Sequence, residues 1–315
     1  MNIGLELLRV TEAAALAACP WVGSGTRSAV DNAAIEAMAA ALSCVAIDGL
    51  IVLGEDEQSE LGHGQRVGSG LPPMDVAIDA IDGSRSAAGG GPHAMSVVAV
   101  CERGAMLPTL PCARMDKLAV GPDGVGVVDI DRSATVNLHA LAKAMNRPIG
   151  EVTAVVLDRD RHHELIAEIQ RTGARLHLVA DDDIGAAITT CLPTIGADIL
   201  FGVGGSRETV ISAAALRGLG GELQSRFAPA NSDERDACEA AGFAAGAVLT
   251  AQDLVGDGSC WFAATGVTDG DLLRGVRQEK RWLWTDSLII GTGPAEVRRV
   301  RTRHQLPPWE KQPTL

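Results

Sequence analysis

From Ala154 to Leu219 the chain alternates strand and helix signals three times, and this restricts the fold more than any other stretch. Ala154 to Leu157 reads as a strand. His162 to Thr172 reads as a helix with Leu165, Ile166 and Ile169 inward and Gly173 closing it, and Arg175 to Ala180 as a second strand. Ile184 to Leu192 follows as a helix, Asp198 to Val203 as a third strand and Glu208 to Leu219 as a third helix. Strands that each return through a helix run parallel, so the pattern predicts a three-layer α/β lobe that binds ligands at the carboxyl ends of its strands. Those ends carry Asp158-Arg159-Asp160-Arg161-His162, Asp181-Asp182-Asp183 and Gly202-Val203-Gly204-Gly205-Ser206-Arg207-Glu208, three polar sets expected on one sheet edge.

The remaining chain lacks this alternation. At 315 residues, two lobes are the expected organisation: 1–150 as an α+β lobe, rejoined by about 255–315, and 151–254 as the parallel α/β lobe. Residues 4–18 have helical spacing and stop at Pro20. A glycine-rich loop, Gly23-Ser24-Gly25-Thr26-Arg27, then runs into a second helix with Ala34, Ile35, Met38 and Leu42 on its apolar face. Ile51 to Leu53 is a short strand, and Met95 to Cys101 another, followed by hairpin-like material to Val128. Residues 226–239 read as an exposed helix or loop, a natural insertion. Trp261 to Gly266 and Leu288 to Gly291 read as strands returning to the first lobe. Val297 to His304 reads as an arginine-rich edge strand, and Pro307-Pro308 opens a tail.

Carboxylates gather at the element boundaries of the first lobe. Val76 to Ile78 end a strand, and the chain breaks into Asp79-Ala80-Ile81-Asp82-Gly83-Ser84. Two carboxylates three residues apart on a tight turn repel one another unless cations lie between their oxygens, and Mg²⁺ or Mn²⁺ suits such hard donors. Gly83 lets the backbone approach a ligand, and Ser84 adds a hydroxyl. In isolation the motif reads equally well as a polar Asp-Gly turn. Two further boundaries repeat the pattern: Gly54-Glu55-Asp56-Glu57 ends a strand, and Asp31 lies near a helix start, where capping is its other reading.

The net charge of −13 argues against a nucleic-acid partner, whose phosphates bind clustered Lys and Arg. Seven Cys without metal-ligand or paired spacing read as reduced core thiols of a cytoplasmic protein. No basic leader and no membrane-length apolar run is present, so no membrane association is expected.

Taken together these segments resemble the class II fructose-1,6-bisphosphatases of the wider inositol-phosphatase and sugar-phosphatase superfamily. The resemblance runs in order from Trp21-Val22-Gly23-Ser24-Gly25 to Arg298-Arg299. Its most specific parts are Ile51-Val52-Leu53-Gly54-Glu55, Asp79 to Arg85, Asp158 to His162, and Gly204 to Glu208 followed by Ser212-Ala213-Ala214-Ala215. It implies a two-lobed sugar-phosphatase fold with α-β-α-β-α layering. It implies Asp31, Glu55, Asp79 and Glu208 as metal ligands for Mg²⁺ or Mn²⁺. Asp82 and Ser84 would then orient or deprotonate the attacking water, and Glu55 would be catalytic as well as a ligand. Arg27 would approach the cleaved phosphate, with Asp82, Gly83 and Ser84 on the substrate, while Arg114, Arg159, Arg161, Asp181, Asp183 and Gly205 would hold the sugar and its far phosphate.

Several positions depart from the family pattern. Asp82 and Ser84 stand where the family usually has Glu and Thr, Arg27 and Arg159 replace Lys, Asp182 replaces Gly, and Arg114 replaces a substrate-contacting Tyr. The implied activity is metal-dependent hydrolysis of fructose 1,6-bisphosphate to fructose 6-phosphate by a cytoplasmic homo-oligomer, dimer or tetramer. The alternatives are the same chemistry on sedoheptulose 1,7-bisphosphate or a sugar phosphate of a specialised pathway, and a non-catalytic sugar-phosphate sensor. A dinucleotide-binding reading of Gly202-Val203-Gly204-Gly205 fails at its third glycine, where Arg207 stands.

Overall fold

A computed structural model describes residues 3–107, 111–180, 182–192, 196–244, 246–293 and 295–305. The first half runs α1 (Ile3–Ala18), α2 (Arg27–Leu42), β1 (Asp48–Leu53), β2 (Arg66–Val67), β3 (Pro73–Asp82), α3 (Ser84–Ala88), β4 (Met95–Glu102), β5 (Arg114–Val120) and α4 (Ala134–Ala144). The alternating stretch follows as β6 (Thr153–Leu157), α5 (His163–Thr172), β7 (Arg175–Val179), α6 (Asp183–Thr189), β8 (Ile199–Gly205) and α7 (Ser206–Leu219). The chain closes with β9 (Glu222–Phe227), α8 (Ser232–Ala240), β10 (Leu249–Thr250), α9 (Ala251–Val255), β11 (Cys260–Gly266), β12 (Arg277–Glu279), β13 (Trp282–Thr292) and β14 (Ala295–Gln305). The fold is α/β, as the sequence implied.

The chain divides into two compact units. The first comprises Met1–Ala99, Trp261–Ile290 and Glu296–Leu315, the second Val100–Cys260 and Gly291–Ala295. Among the described residues, no helix is long and apolar enough to cross a membrane.

One sheet has the order β12-β13-β11-β4-β3-β1-β2, with β14 paired to β13. Within it β1 and β3 are parallel, from Asp48 opposite Pro73 to Leu53 opposite Ala77, so both chains leave the sheet at the same edge. Helix α2 buries Val30, Ala34, Met38 and Leu42, a stripe repeating every four residues, and packs on α1 and β3. Truncating one of these large side chains, as in Met38→Ala, should cost about 2–5 kcal/mol. That stripe orients the polar first turn of α2.

The other sheet has the order β10-β9-β5-β8-β6-β7. β6 is parallel to both β7 and β8, as the alternation requires, while β5 runs antiparallel to β8 and β9. The sheet is therefore mixed rather than wholly parallel. Leu118, Val120, Ala154, Val156, Ile199 and Phe201 pack with Leu138 and Leu141 of α4 and Ile169 of α5 in one continuous core.

Two expectations need correction. Among the described residues of 102–128 there is no hairpin with β4; β5 belongs to the other sheet, because its largely apolar run is satisfied by pairing with β8 and β9, some 85 and 110 residues away in sequence. Nor are all seven cysteines reduced, since Cys101 and Cys260, on neighbouring strands β4 and β11, form a disulfide. Cys19, Cys44, Cys112, Cys191 and Cys238 are free thiols. The tail from Pro307 lies outside the described residues.

Candidate active site

The implied site residues fall into two groups, one in each unit. In the first unit, the parallel pairing of β1 and β3 delivers Glu55 and Asp79 to the same edge. Glu55 follows β1 by two residues, and its Oε1 accepts a hydrogen bond from the Ala80 N–H at 2.8 Å. Asp79 and Asp82 lie in the last four residues of β3, and both are buried. Gly83 turns the chain at φ 81°, a left-handed conformation strained for any side chain, and Ser84 opens α3.

Helix α2 supplies the third component. Its N-cap is Thr26, so Asp31 lies one turn inside the helix rather than capping it. Arg27 Nε donates to Ser84 Oγ at 2.9 Å and stands 3.3 Å from Asp31 Oδ2. Burial pushes the Asp31 carboxyl above the usual aspartate range; the Ser84 hydrogen bond and the Arg27 charge oppose this, while the Glu55 charge adds to it. Arg27, Asp31, Glu55 and Ser84 thus interact, with Asp79 and Asp82 on the adjoining strand end. Every carboxylate here is a hard oxygen donor, which fits Mg²⁺ or Mn²⁺ in kind, and a cation would relieve the cost that burial and Glu55 place on Asp31. Among the described residues, no three His, Cys, Asp or Glu side chains are already arranged to hold a metal ion.

In the second unit, the polar sets gather at one sheet edge because β6, β7 and β8 are parallel. The antiparallel β5 begins at that edge, with Arg114 opposite Gly205. Arg161 donates through Nε and Nη2 to the Val203 carbonyl, at 3.0 and 2.6 Å, and Arg159 donates to its neighbour Asp158 O at 3.2 Å. The Arg161 pKa is lowered, first by burial and then by the charges of Arg114 and Arg159, against the Asp183 carboxylate. Three guanidinium groups therefore share this edge. Arg114 is exposed, and Asp116, two positions on, faces Arg226 at 3.5 Å.

Asp183 opens α6 and is buried, with Lys117 Nζ 2.5 Å from its Oδ2. Gly205 N–H donates to the same oxygen at 3.2 Å. Glu208 lies in the first turn of α7, with Arg207 Nη2 3.8 Å from its Oε1. A cleft of about 440 Å³ opens beside it, lined by Cys112, Ser206, Arg207, Glu208 and Glu234 among others. Asp181 lies outside the described residues.

The roles of two residues escaped the reading of the sequence. His162 Nε2 accepts the Val203 N–H at 2.8 Å, so Nδ1 carries the proton donated to Leu157 O. The ring is neutral and pins the ends of β6 and β8 together; burial, foremost, lowers its pKa. The other is Lys117, whose signal was available: a lysine next to Asp116 in a strand that otherwise runs apolar from Met115 to Val120 is a charge that needs a partner if buried.

With this geometry in view, the comparisons with known proteins define the class. Residues 1–304 match the family described as bacterial fructose-1,6-bisphosphatase, glpX-encoded. The chain is 37% identical over 322 aligned positions to fructose-1,6-bisphosphatase 1 class 2 of Escherichia coli (strain K12), covering 97% of this chain and 96% of that one. The fructose-1,6-bisphosphatase class 2 of Shigella flexneri matches with the same figures. This chain belongs to the bacterial class 2 fructose-1,6-bisphosphatase family, and it is accordingly a phosphoric monoester hydrolase.

Proposed function

We propose that the enzyme hydrolyses the 1-phosphate of fructose 1,6-bisphosphate with the help of Mg²⁺ or Mn²⁺. The observation that carries this reading is the cluster of Arg27, Asp31, Glu55 and Ser84 beside the Asp79 to Asp82 strand end. Asp31, Glu55 and Asp79 would hold the metal, with Glu208 completing the set. Once bound, the metal would neutralise phosphate charge and lower the pKa of a coordinated water. Arg27 would draw the cleaved phosphate toward Ser84, and the N–H groups from Gly83 to Arg85 would take its oxygens. Asp82 with Ser84 would orient the attacking water and accept its proton. Asp181, Asp183 and Gly205 would hold the sugar, and Arg159 and Arg161 its far phosphate.

A second substrate reading follows from Arg114. Three guanidinium groups at one edge repel each other without an anion; after burial, the charges of Arg114 and Arg159 lower the Arg161 pKa further. An edge of this charge suits a substrate with a differently placed anionic group, such as sedoheptulose 1,7-bisphosphate, on the same chemistry. We propose a homo-oligomer in the cytoplasm. Phosphate release from a panel of sugar mono- and bisphosphates with Mg²⁺ and with Mn²⁺ tests these readings. Preferred turnover of fructose 1,6-bisphosphate supports the first, and preferred turnover of another bisphosphate the second. Turnover of none, with sugar phosphate still bound, would leave a sensor.

A further inference from the structure

We infer that Lys117 is a positioning residue for the sugar end of the site, acting through Asp183; the inference rests on the substrate role given to Asp183 above. Lys117 lies in the middle of β5, and its side chain is 1% exposed. An ammonium in such a place is tolerated only when paired, and Asp183 Oδ2 is its partner at 2.5 Å. The same oxygen accepts the Gly205 N–H at 3.2 Å. A Cβ on Gly204 would lie 1.9 Å from it, so the end of β8 closes directly on the carboxylate. Oδ2 is therefore clamped between two strands. Oδ1 is also buried, yet has no hydrogen-bond partner among the described residues.

A carboxylate with one oxygen fixed by a cation and a backbone N–H, and the other desolvated but unpartnered, is oriented to accept from a donor that arrives with a ligand. A sugar hydroxyl is a neutral donor of that kind. Lys117 pairs with Asp183 and sets its rotamer while standing behind it, on the strand side. Without the ammonium, Asp183 would be an uncompensated buried charge that swings away from its clamped position, and this spoils the hydroxyl contact.

The test combines Lys117→Met, Lys117→Arg, Asp183→Asn and the Lys117→Met/Asp183→Asn double variant. Each is assayed for KM and kcat on fructose 1,6-bisphosphate and, by calorimetry, for affinity toward fructose 6-phosphate. Lys117→Met should raise KM and weaken product binding by about tenfold or more, as loss of a charge-assisted contact does, with kcat within about threefold of wild type. Lys117→Arg should recover part of the affinity. The double variant should match Asp183→Asn alone, because Lys117 acts only through that carboxylate. A folded Lys117→Met with wild-type KM and product affinity overturns the inference, as does a double variant whose losses multiply. If Lys117→Met fails to fold, the comparison of Asp183→Asn with the double variant decides alone by the same criterion. Asp183→Asn with wild-type KM would overturn the substrate reading of Asp183 itself, an outcome distinct from failure at Lys117.

Discussion

The two site groups are built on opposite electrostatic plans. In the first unit, Asp31, Glu55, Asp79 and Asp82 gather at one edge with Arg27 among them, and burial, with a smaller part from the Glu55 charge, raises the Asp31 pKa. In the second, Arg114, Arg159 and Arg161 gather at another edge, and burial, followed by the charges of Arg114 and Arg159, lowers the Arg161 pKa. One excess is suited to cations and the other to anions. Each rests on the same device, the carboxyl ends of parallel strands, which bring distant sequence segments to one edge whatever charges they carry. The fold supplies the convergence and the loop residues supply the sign.

The largest expected effect falls on the acidic group. Asp79→Asn replaces a charged donor by a neutral amide, so phosphate release at saturating Mg²⁺ or Mn²⁺ should drop on the order of a thousandfold. Equal release by mutant and wild type would remove Asp79 from the metal set and break the contrast.

A second effect separates the units by stability. The Cys101–Cys260 disulfide spans 159 positions, from the second residue of the second unit's long segment to its last. Closing a ring of that size should stabilise the oxidised second unit by about 2–5 kcal/mol, mainly by restricting its unfolded chain. Calorimetry with and without a dithiol reductant should show one transition moving down while the other stays. Coincident, unmoved transitions would show that the bond adds nothing to the second unit.

Arg114 tests the basic group. A charge-assisted contact is worth about 1.5 to 3 kcal/mol, so Arg114→Tyr should shift relative kcat/KM toward fructose 1,6-bisphosphate and away from substrates with a differently placed anionic group by roughly tenfold to a hundredfold. Unchanged ratios across the sugar-phosphate panel would mean that Arg114 reads nothing.

The smallest effect concerns His162. Its folded pKa lies below its unfolded value, so the unfolded chain binds the proton more readily. The stability held through the neutral ring is complete above the unfolded pKa of about 6.5 and is lost as pH falls toward the folded value. Between pH 7 and 5 the Tm should fall by roughly 2–4 °C for each kcal/mol involved, and His162→Asn, which takes up no proton, should flatten that slope. An identical slope in the variant would exclude His162 as its source.

Much of the fold was legible because its signals are local. The periodicity from Ala154 to Leu219 announced β6, β7 and β8 and their helices, and with them the edge that carries Arg159, Arg161 and Glu208. The role of β5 was not legible: its pairing with β8 and β9 spans many residues and leaves no mark in its own seven. The cysteine pair was hidden for a similar reason, since Cys101 and Cys260 meet only because β4 and β11 become neighbours. The carboxylates of the first group were visible as residues at boundaries. Their hydrogen bonds to Arg27 and Ser84 were not, because these depend on the rotation of α2 about its buried stripe.

The direction of β5 has a further consequence. Because it runs against its neighbours, it enters the sheet where they leave, and its first residue stands at the edge while its fourth lies deep inside. Positions 114 and 117, an odd number of steps apart, project to opposite faces of the sheet. A chain descending from this one can therefore exchange residue 114 and alter what the edge admits while the ammonium behind Asp183 stays in register. Variability and fixity are carried by a single strand, three residues apart, and a search for new specificities in this scaffold should begin at the first position and leave the fourth alone.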